Sequence, residues 1–454
     1  MIDKMTEEQI LLLIIKCLKE MKKNKFHEII DELHPYDMAK LYKEMPEKHR
    51  RKFLFFLSPE QIADLIQELD HDMQLDVLHK LGIDRSSKVM NEMDSDDLAD
   101  LLNELSADKI KEFMDRLKDE KSKNVQQLME YPPDTAGGIM TDRYVRIRTY
   151  YTVKDAIEKL KTFADIAENI YYLYVIDENR KLVGVVSYRD LLLANLDDKI
   201  EDIMFNRVIS VPVDMDQEEV ARIIAKYDFI AVPVVDKENR IVGIITVDDI
   251  IDVVIQEANE DIEKFSASGG AIDFNTPALK AAFKRLPWLI LLLFIGLISG
   301  SIISVFENTL QTIVALAFFM PLIAGMTGNT GTQSLAMVVR GLIAHKLDMK
   351  STVRLIWREF KVGIIIGTCC ALLIFTAAYI WKGDMILSFV VGASLFLTLI
   401  IGTMAGTIIP IILYKLKIDP AIASGPLITT LNDIFSLVIY FGLATAMLSH
   451  LGIF

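Results

Sequence analysis

The 454-residue chain carries 49 Lys and Arg against 63 Asp and Glu, a formal net charge of −14. That charge is unevenly held: residues 1–275 contain 37 bases and 57 acids, residues 276–454 contain 12 and 6, so the two parts stand at −20 and +6. The acidic part would repel phosphate backbones, which excludes nucleic acid as a partner and suits a region that attracts divalent cations.

A chain of this length has room for two or three domains. Its three cysteines, Cys17, Cys369 and Cys370, make neither a disulfide framework nor a zinc site. The apolar hexamer Ile10–Ile15 is short, follows acids and runs straight into Lys16, so it reads as the buried face of a first helix and not as a secretion signal. Residues 1–130 are expected to be all-helical and quasi-repetitive. Short amphipathic units start at His34-Pro35, Ser58-Pro59, Asp94-Ser95 and Ser106-Ala107, most with a capping residue, acids in the first turn and Leu or Ile at helical spacing. Repeated short helices imply a small α-solenoid.

Residues 140–257 hold an internal repeat. Ile176-Asp-Glu-Asn-Arg-Lys-Leu-Val-Gly-Val-Val-Ser187 parallels Val235-Asp-Lys-Glu-Asn-Arg-Ile-Val-Gly-Ile-Ile-Thr246. Each copy reads as a helix (152–162 or 216–227), a strand, a tight Asp/Asn turn, a second strand and a helix opened by Ser187-Tyr-Arg-Asp190 or Thr246-Val-Asp-Asp249. The acid three residues after Ser or Thr has capping-box spacing, so a plain helix cap is one reading of it. The double occurrence resembles a tandem cystathionine-β-synthase (CBS) pair. That resemblance implies the other reading, in which the acid holds a nucleotide ribose, with Tyr172, Arg189 and Asp190 binding ATP. Residues 248–264 follow without a breaker and should form one acidic helix, either a lever or an inert connector. Ser266-Ala-Ser-Gly-Gly270 reads as a flexible join.

Five apolar segments come next, near 286–305, 312–338, 361–381, 385–413 and 422–448, each close to or above the ~20 residues that span a bilayer core. Basic clusters at Lys280, Lys284 and Arg285, at Arg340 to Lys361 (with Lys346, Lys350, Arg354 and Arg358), and at Lys415 and Lys417 fall on one side. They put the soluble part in the cytoplasm of a multi-pass cell-membrane protein and the C-terminus outside. The second segment holds Gly325, Gly328, Asn329, Thr330, Gly331 and Thr332, which permit either close helix contact or an interrupted helix with carbonyls lining a cavity. In the fifth, Pro426 could free the carbonyl of Ile422. Asp433 lies there in an otherwise apolar run. A charge at mid-bilayer costs about 2.5–3.5 kcal/mol, so Asp433 reads as part of an ion or proton path, or else as a carboxylate neutralised or snorkelling at a helix end. Carbonyls, hydroxyls and one carboxylate are hard ligands that suit Mg²⁺ or Ca²⁺. No nucleophile–base pair, Walker loop or zinc spacing marks an enzyme.

Tyr131-Pro-Pro-Asp-Thr-Ala-Gly-Gly-Ile-Met-Thr141, the CBS pair, Asp216-Gln-Glu-Glu-Val-Ala221, Thr246-Val-Asp-Asp249, Gly328-Asn-Thr-Gly331 and Asp419-Pro-Ala421 through Asp433, in that order, resemble the MgtE family of magnesium channels and transporters. The resemblance implies a multidomain membrane protein: an α-solenoid (1–130), a CBS pair (131–250), a connecting plug helix (251–275) and five transmembrane helices (276–454). It implies a homodimer with an axial pore, in which Asp433 is the pore carboxylate beside Gly328, Asn329 and Thr429. Regulatory Mg²⁺ would then fall among Asp64, Asp96, Asp100, Gly138, Glu218, Asp228, Asp249, Asp252, Glu257, Glu260 and Asp261, with Asp419 near the plug. Thr332 and Gly425 stand where the family pattern leads one to expect asparagines, which puts those two pore contacts in question. A CBS-regulated transporter of Mn²⁺ or Co²⁺ and a CBS-gated anion channel are the competing readings.

Overall fold

The computed structural model describes residues 5–164, 167, 169–270, 272, 276–344 and 349–450; Lys346 lies outside them. The chain forms two compact units, Met1–Val254 and Ile255–Phe454.

Ten helices open the first unit among the described residues, from α1 (Glu7–Glu20) through α5 (Pro59–Gln67), α7 (Ile83–Glu92) and α8 (Ser95–Asn103) to α10 (Asp119–Leu128). Their starts are set by side chains. Thr6 and Ser58 form capping boxes with Gln9 and Gln61, and His34 accepts the Tyr36 N–H. Asp94 precedes α8 without capping it, because its carboxylate is taken by Arg143 and Gln67. Ile10 and Ile14 of the apolar hexamer are buried as expected, and Phe26 meets Phe53 and Phe56 edge-on at 5.5 and 5.3 Å.

The repeat builds two like sheets. β1 (Tyr144–Arg148), β2 (Asn169–Ile176) and β3 (Leu182–Ser187) form one; β4 (Val211–Pro212), β5 (Ala231–Val235) and β6 (Ile241–Thr246) form the other. In each, the first strand runs parallel to the second and the second antiparallel to the third. α11 (Val153–Phe163) and α14 (Gln217–Tyr227) make the parallel crossovers, capped by Thr152 and Asp216. The hairpin turns use left-handed Arg180 (φ 65°) and Asn239 (φ 62°), each following an aspartate whose carboxylate accepts backbone N–H groups. After each sheet comes a helix, α12 (Tyr188–Leu193) or α15 (Val247–Phe265). The 19 unbroken residues of α15 match the expected connector.

The second unit holds α16 (Ala278–Val305), the short α17 (Glu307–Thr312), α18 (Leu316–Ala344), α19 (Met349–Lys382), α20 (Met385–Lys415), a 3-10 turn at Pro420–Ile422 and α21 (Gly425–His450). Five long helices thus stand at the five expected segments. Among the described residues four of them, α16, α19, α20 and α21, are long and apolar enough to cross a membrane; the polar stretch Thr327–Gln333 keeps α18 out of that set.

Four details differ from the sequence reading. α18 runs unbroken past Pro321 and its glycines, which rules out the interrupted helix; Gly328 and Gly331 serve close contact, while Gly325 faces open space. A Cβ at Gly402 would stand 2.8 Å from the Thr327 carbonyl oxygen, and one at Gly406 would collide with the Gly331 carbonyl. Pro426 lies in the first turn of α21, where no helical partner is lost, and the Ile422 carbonyl accepts the Ser424 N–H at 2.6 Å. Lys350, Arg354, Arg358 and Lys361 ride on α19 and not in a loop. The join after α15 is tied down: the Gly269 N–H donates to the Lys284 carbonyl at 3.1 Å, with Ala267 and Gly270 at positive φ.

Candidate ion pathway and acidic sensor

In the second unit, α18 and α21 meet through a polar seam. Thr332 Oγ1 donates to the Gly328 carbonyl at 3.0 Å and lies 3.3 Å from Thr429 Oγ1, which itself bonds the Gly425 carbonyl at 2.9 Å. Gly328 and Thr429 are therefore together: a Cβ at Gly328 would stand 2.8 Å from the Thr429 methyl. Asp433 follows Thr429 by one helical turn and is half-buried; among the described residues its carboxylate makes no ion pair. Asn329, beside Gly328, is exposed. Neighbouring Asn432 is fully buried in the Gly331 notch and donates to the Thr327 carbonyl at 3.4 Å. Thr332 turns its hydroxyl into this seam, and Gly425 faces its methyl, so both departures from the expected asparagines are absorbed by helix contact.

The sequence reading missed Glu359. It is 4% exposed on α19, where Oε2 accepts from Ser334 Oγ of α18 at 3.3 Å and Oε1 accepts from Arg358 Nε at 3.2 Å. A single acid among five bases, in register with a polar position on the adjoining helix, was the available signal.

The first unit gathers carboxylates where α5, α8 and the start of α15 approach. Burial and neighbouring Asp96 push Asp97 up to about 7, while Gln67 donates to it. Asp100 rises to about 6 through burial and the charge of Asp96, with Asp249 adding to it. Asp249 also rises to about 6, chiefly by burial and despite the hydroxyl of Thr246 at 2.5 Å. Asp64 is raised by burial, then by Glu60 and Asp94. In all four the charged form is disfavoured, by burial first and by neighbouring acids second.

Other expected ligands are separated. Gly138 lies in a turn that the Thr135–Asp216 bridge sets beside the start of α14, hence near Glu218, which is paired with Arg222 at 2.6 Å. Asp228 caps the far end of α14, about 15 Å away along the helix. The Ile230 carbonyl, two residues on, accepts the Val247 N–H at 2.9 Å, so Asp228 belongs with the start of α15. Asp252 is exposed one turn after Asp249. In the second unit, Glu257, Glu260, Asp261 and Lys264 follow one face of α15. Lys264 Nζ bridges Glu260 at 2.5 Å and Asp419 at 2.6 Å. Burial opposes its charge, but those two hydrogen bonds outweigh it and raise its pKa; Asp261 is raised by burial and by Asp419. Among the described residues no three Asp, Glu, His or Cys converge into a ready metal cluster. Hard oxygen donors with unbalanced charge nevertheless fit a hydrated divalent ion held partly through its waters.

Family models match along the chain: a divalent cation transporter model (MgtE) at residues 320–443, the MgtE intracellular N domain at 33–134, and CBS domains at 136–197 and 200–256. The magnesium transporter MgtE of Bacillus subtilis is 59% identical over 99% of this chain and 100% of its own length. The chain belongs to the MgtE family. Its Thermus thermophilus member is 38% identical over 97% of this chain and 99% of the relative. A solved structure of the cytosolic domain of the Mg²⁺ channel MgtE in complex with ATP is 37% identical. It covers 54% of this chain and 99% of that one, with a TM-score of 0.52.

MgtE chains carry the CBS pair on which nucleotide residues were sought. Tyr172 pairs with Ser187 across β2 and β3, and Ser187 leads into α12, so Tyr172, Arg189 and Asp190 share one strand end. Asp190 caps that helix, accepting the Ser187 N–H at 3.1 Å and its hydroxyl at 2.5 Å.

Proposed function

We propose that the protein is a homodimeric Mg²⁺ channel of the cell membrane, closed by cytosolic Mg²⁺ bound at acidic surfaces of the solenoid, the CBS pair and the plug helix. The domain limits 1–130, 131–250, 251–275 and 276–454 belong to this reading, as does a C-terminus outside the cell. The observation that carries it is the polar seam of α18 and α21 ending at Asp433, in a helical unit otherwise built of apolar residues. One carboxylate per protomer, doubled across a two-fold axis, suits an ion that keeps its waters, because Mg²⁺ dehydrates reluctantly. Gly328, Asn329 and Thr429 supply carbonyl, amide and hydroxyl oxygens to that water shell.

Gating follows from electrostatics. Two unit charges ~4 Å apart repel by about 4 kcal/mol at an effective dielectric near 20. Cations shared among Asp64, Asp96, Asp100, Asp228, Asp249 and Asp252, and a second group near Glu257, Glu260, Asp261 and Asp419, turn that repulsion into attraction. Gly138 and Glu218 form a further oxygen pair. Ile251, Val254, Ile255 and Ile262 leave an apolar stripe exposed on α15, which supports pairing with a second copy. ATP at Tyr172, Arg189 and Asp190 would tie gating to nucleotide supply.

Mg²⁺ uptake into liposomes, with and without a membrane potential, tests the reading. Asp433→Ala should remove selective Mg²⁺ flux while the protein stays dimeric. Unchanged selective flux in that variant would reject Asp433 as the pore carboxylate.

A further inference from the structure

We propose a second ligand site in the first unit: a cleft that binds a polyphosphate-bearing anion, separate from the nucleotide position at Tyr172, Arg189 and Asp190. A cavity of about 1150 Å³ opens between the solenoid and the first CBS repeat. Lys118 and Lys121 line it from the solenoid, and Arg146, Lys159 and Arg180 line it from the CBS side. Such a concentration of cations runs against the −20 carried by residues 1–275.

Charge pairing accounts for Asp94 of the acidic lining and for none of the five cations. Asp94 is taken by Arg143, which leaves Glu92, Glu120 and Asp142, whose one hydrogen bond comes from the neutral Asn124 amide at 2.8 Å, against five cations. Among the described residues none of those five makes an ion pair. Lys121 donates instead to the Met93 carbonyl, and its pKa is lowered by burial. The Lys159 ammonium rests 4.1 Å from the Phe163 ring centroid, which fixes its direction. Arg180 is held out by its left-handed turn (φ 65°). Like charges brought together without partners repel unless an anion joins them, and forked guanidinium donors match phosphate oxygens best. Phosphate groups would then join solenoid to CBS pair through cations, as a divalent ion would join them through carboxylates on another surface of the same unit.

The test is calorimetric titration of inorganic tripolyphosphate into the full-length protein in lipid nanodiscs, in divalent-free buffer. The expected result is saturable binding of one anion per protomer. The triple variant Arg146→Gln, Lys159→Gln, Arg180→Gln should weaken it at least about tenfold while unfolding at the wild-type temperature. Arg189→Ala should leave it unchanged. ATP should displace tripolyphosphate and adenosine should not, since only phosphate is recognised. Absence of saturable heat overturns the proposal. So does loss of binding in Arg189→Ala with retention in the triple variant, or displacement by adenosine. None of these outcomes depends on whether Asp433 lines a pore.

Discussion

Both units are built on apolar cores, but the polar contacts beside those cores are of opposite kinds. In the second unit, α18 and α20 touch backbone to backbone through Gly331, Gly402 and Gly406, and α21 fills the notch with the Asn432 amide. In the first, α8 and the start of α15 share apolar side chains such as Leu102 and Ile250, and beside them stand carboxylates whose charged forms are disfavoured by burial first and by one another second. Steric contact of the first kind has little freedom to change with the medium. Electrostatic contact of the second kind changes with every proton or cation supplied. A conducting path needs the one and a sensor needs the other, and α15 is the helix shared by both units.

The largest effect should come from breaking the rigid side. In Gly406→Ala the new methyl would collide with a backbone carbonyl that cannot turn away. Overpacking of that kind costs about 1–3 kcal/mol or more, enough to lower the unfolding temperature of the detergent-solubilised protein clearly. Gly296→Ala on α16 meets nothing within 4 Å and serves as the control. Equal stability of the two variants would show that the three-helix contact is looser than described.

Next comes the soft side. Asp249→Asn together with Asp100→Asn removes two of the mutually repelling charges. Protease resistance of residues 5–254 should then be high without Mg²⁺ and nearly indifferent to it, whereas the unchanged protein should need millimolar-range Mg²⁺. A wild-type Mg²⁺ requirement in the double variant would mean that other carboxylates drive the response.

How far the sequence foresaw this contrast depended on the range of each interaction. Capping residues such as Ser58 and Ser187, the Asp/Asn turns and the 19-residue α15 were legible because they are local. The repeat also disclosed both sheets, although the short first strands, β1 and β4, were not anticipated. Pro426 misled because a proline suggests a broken helix, while the chain simply begins α21 there. Glu359 was missed because the onset of α19 at Met349 precedes its apolar run, so the bases around it read as a connection between two segments. The separation of Glu218 from Asp228 was already implied by the helix expected over 216–227, and was passed over because the family resemblance put both acids into one regulatory set.

A smaller effect is expected where the two ends of α15 differ. Near Asp249 no ion pair engages Asp97, Asp100 or Asp249 among the described residues. Near Asp419, the ammonium of Lys264 already spans two carboxylates. Lys264→Met should therefore make that end resemble the other. Closure, read as the Mg²⁺ concentration that halves flux into liposomes, should become a few-fold more dependent on Mg²⁺. An unchanged midpoint would mean that the Lys264 bridge carries no share of the closing energy.

The gentlest probe is pH, and its sign is fixed by the direction of the shifts. Asp97, Asp100 and Asp249 sit near 7, 6 and 6 when folded, against an ordinary value near 3.8. A carboxyl whose folded pKa is raised binds its proton more tightly when folded. Its favourable contribution is complete below the ordinary value and is lost as pH climbs through the folded one. Without divalent ions, amide exchange in α8 and at the start of α15 should therefore quicken steadily from about pH 4 to about pH 7. Saturating Mg²⁺ should abolish most of that rise, because the cation replaces the protons being lost. Amide exchange in α20 should change over the same interval only by its intrinsic pH dependence, since glycine contact has no proton to lose. If α8 and α20 responded alike, acid repulsion at Asp97, Asp100 and Asp249 would not be what separates the responsive unit from the rigid one.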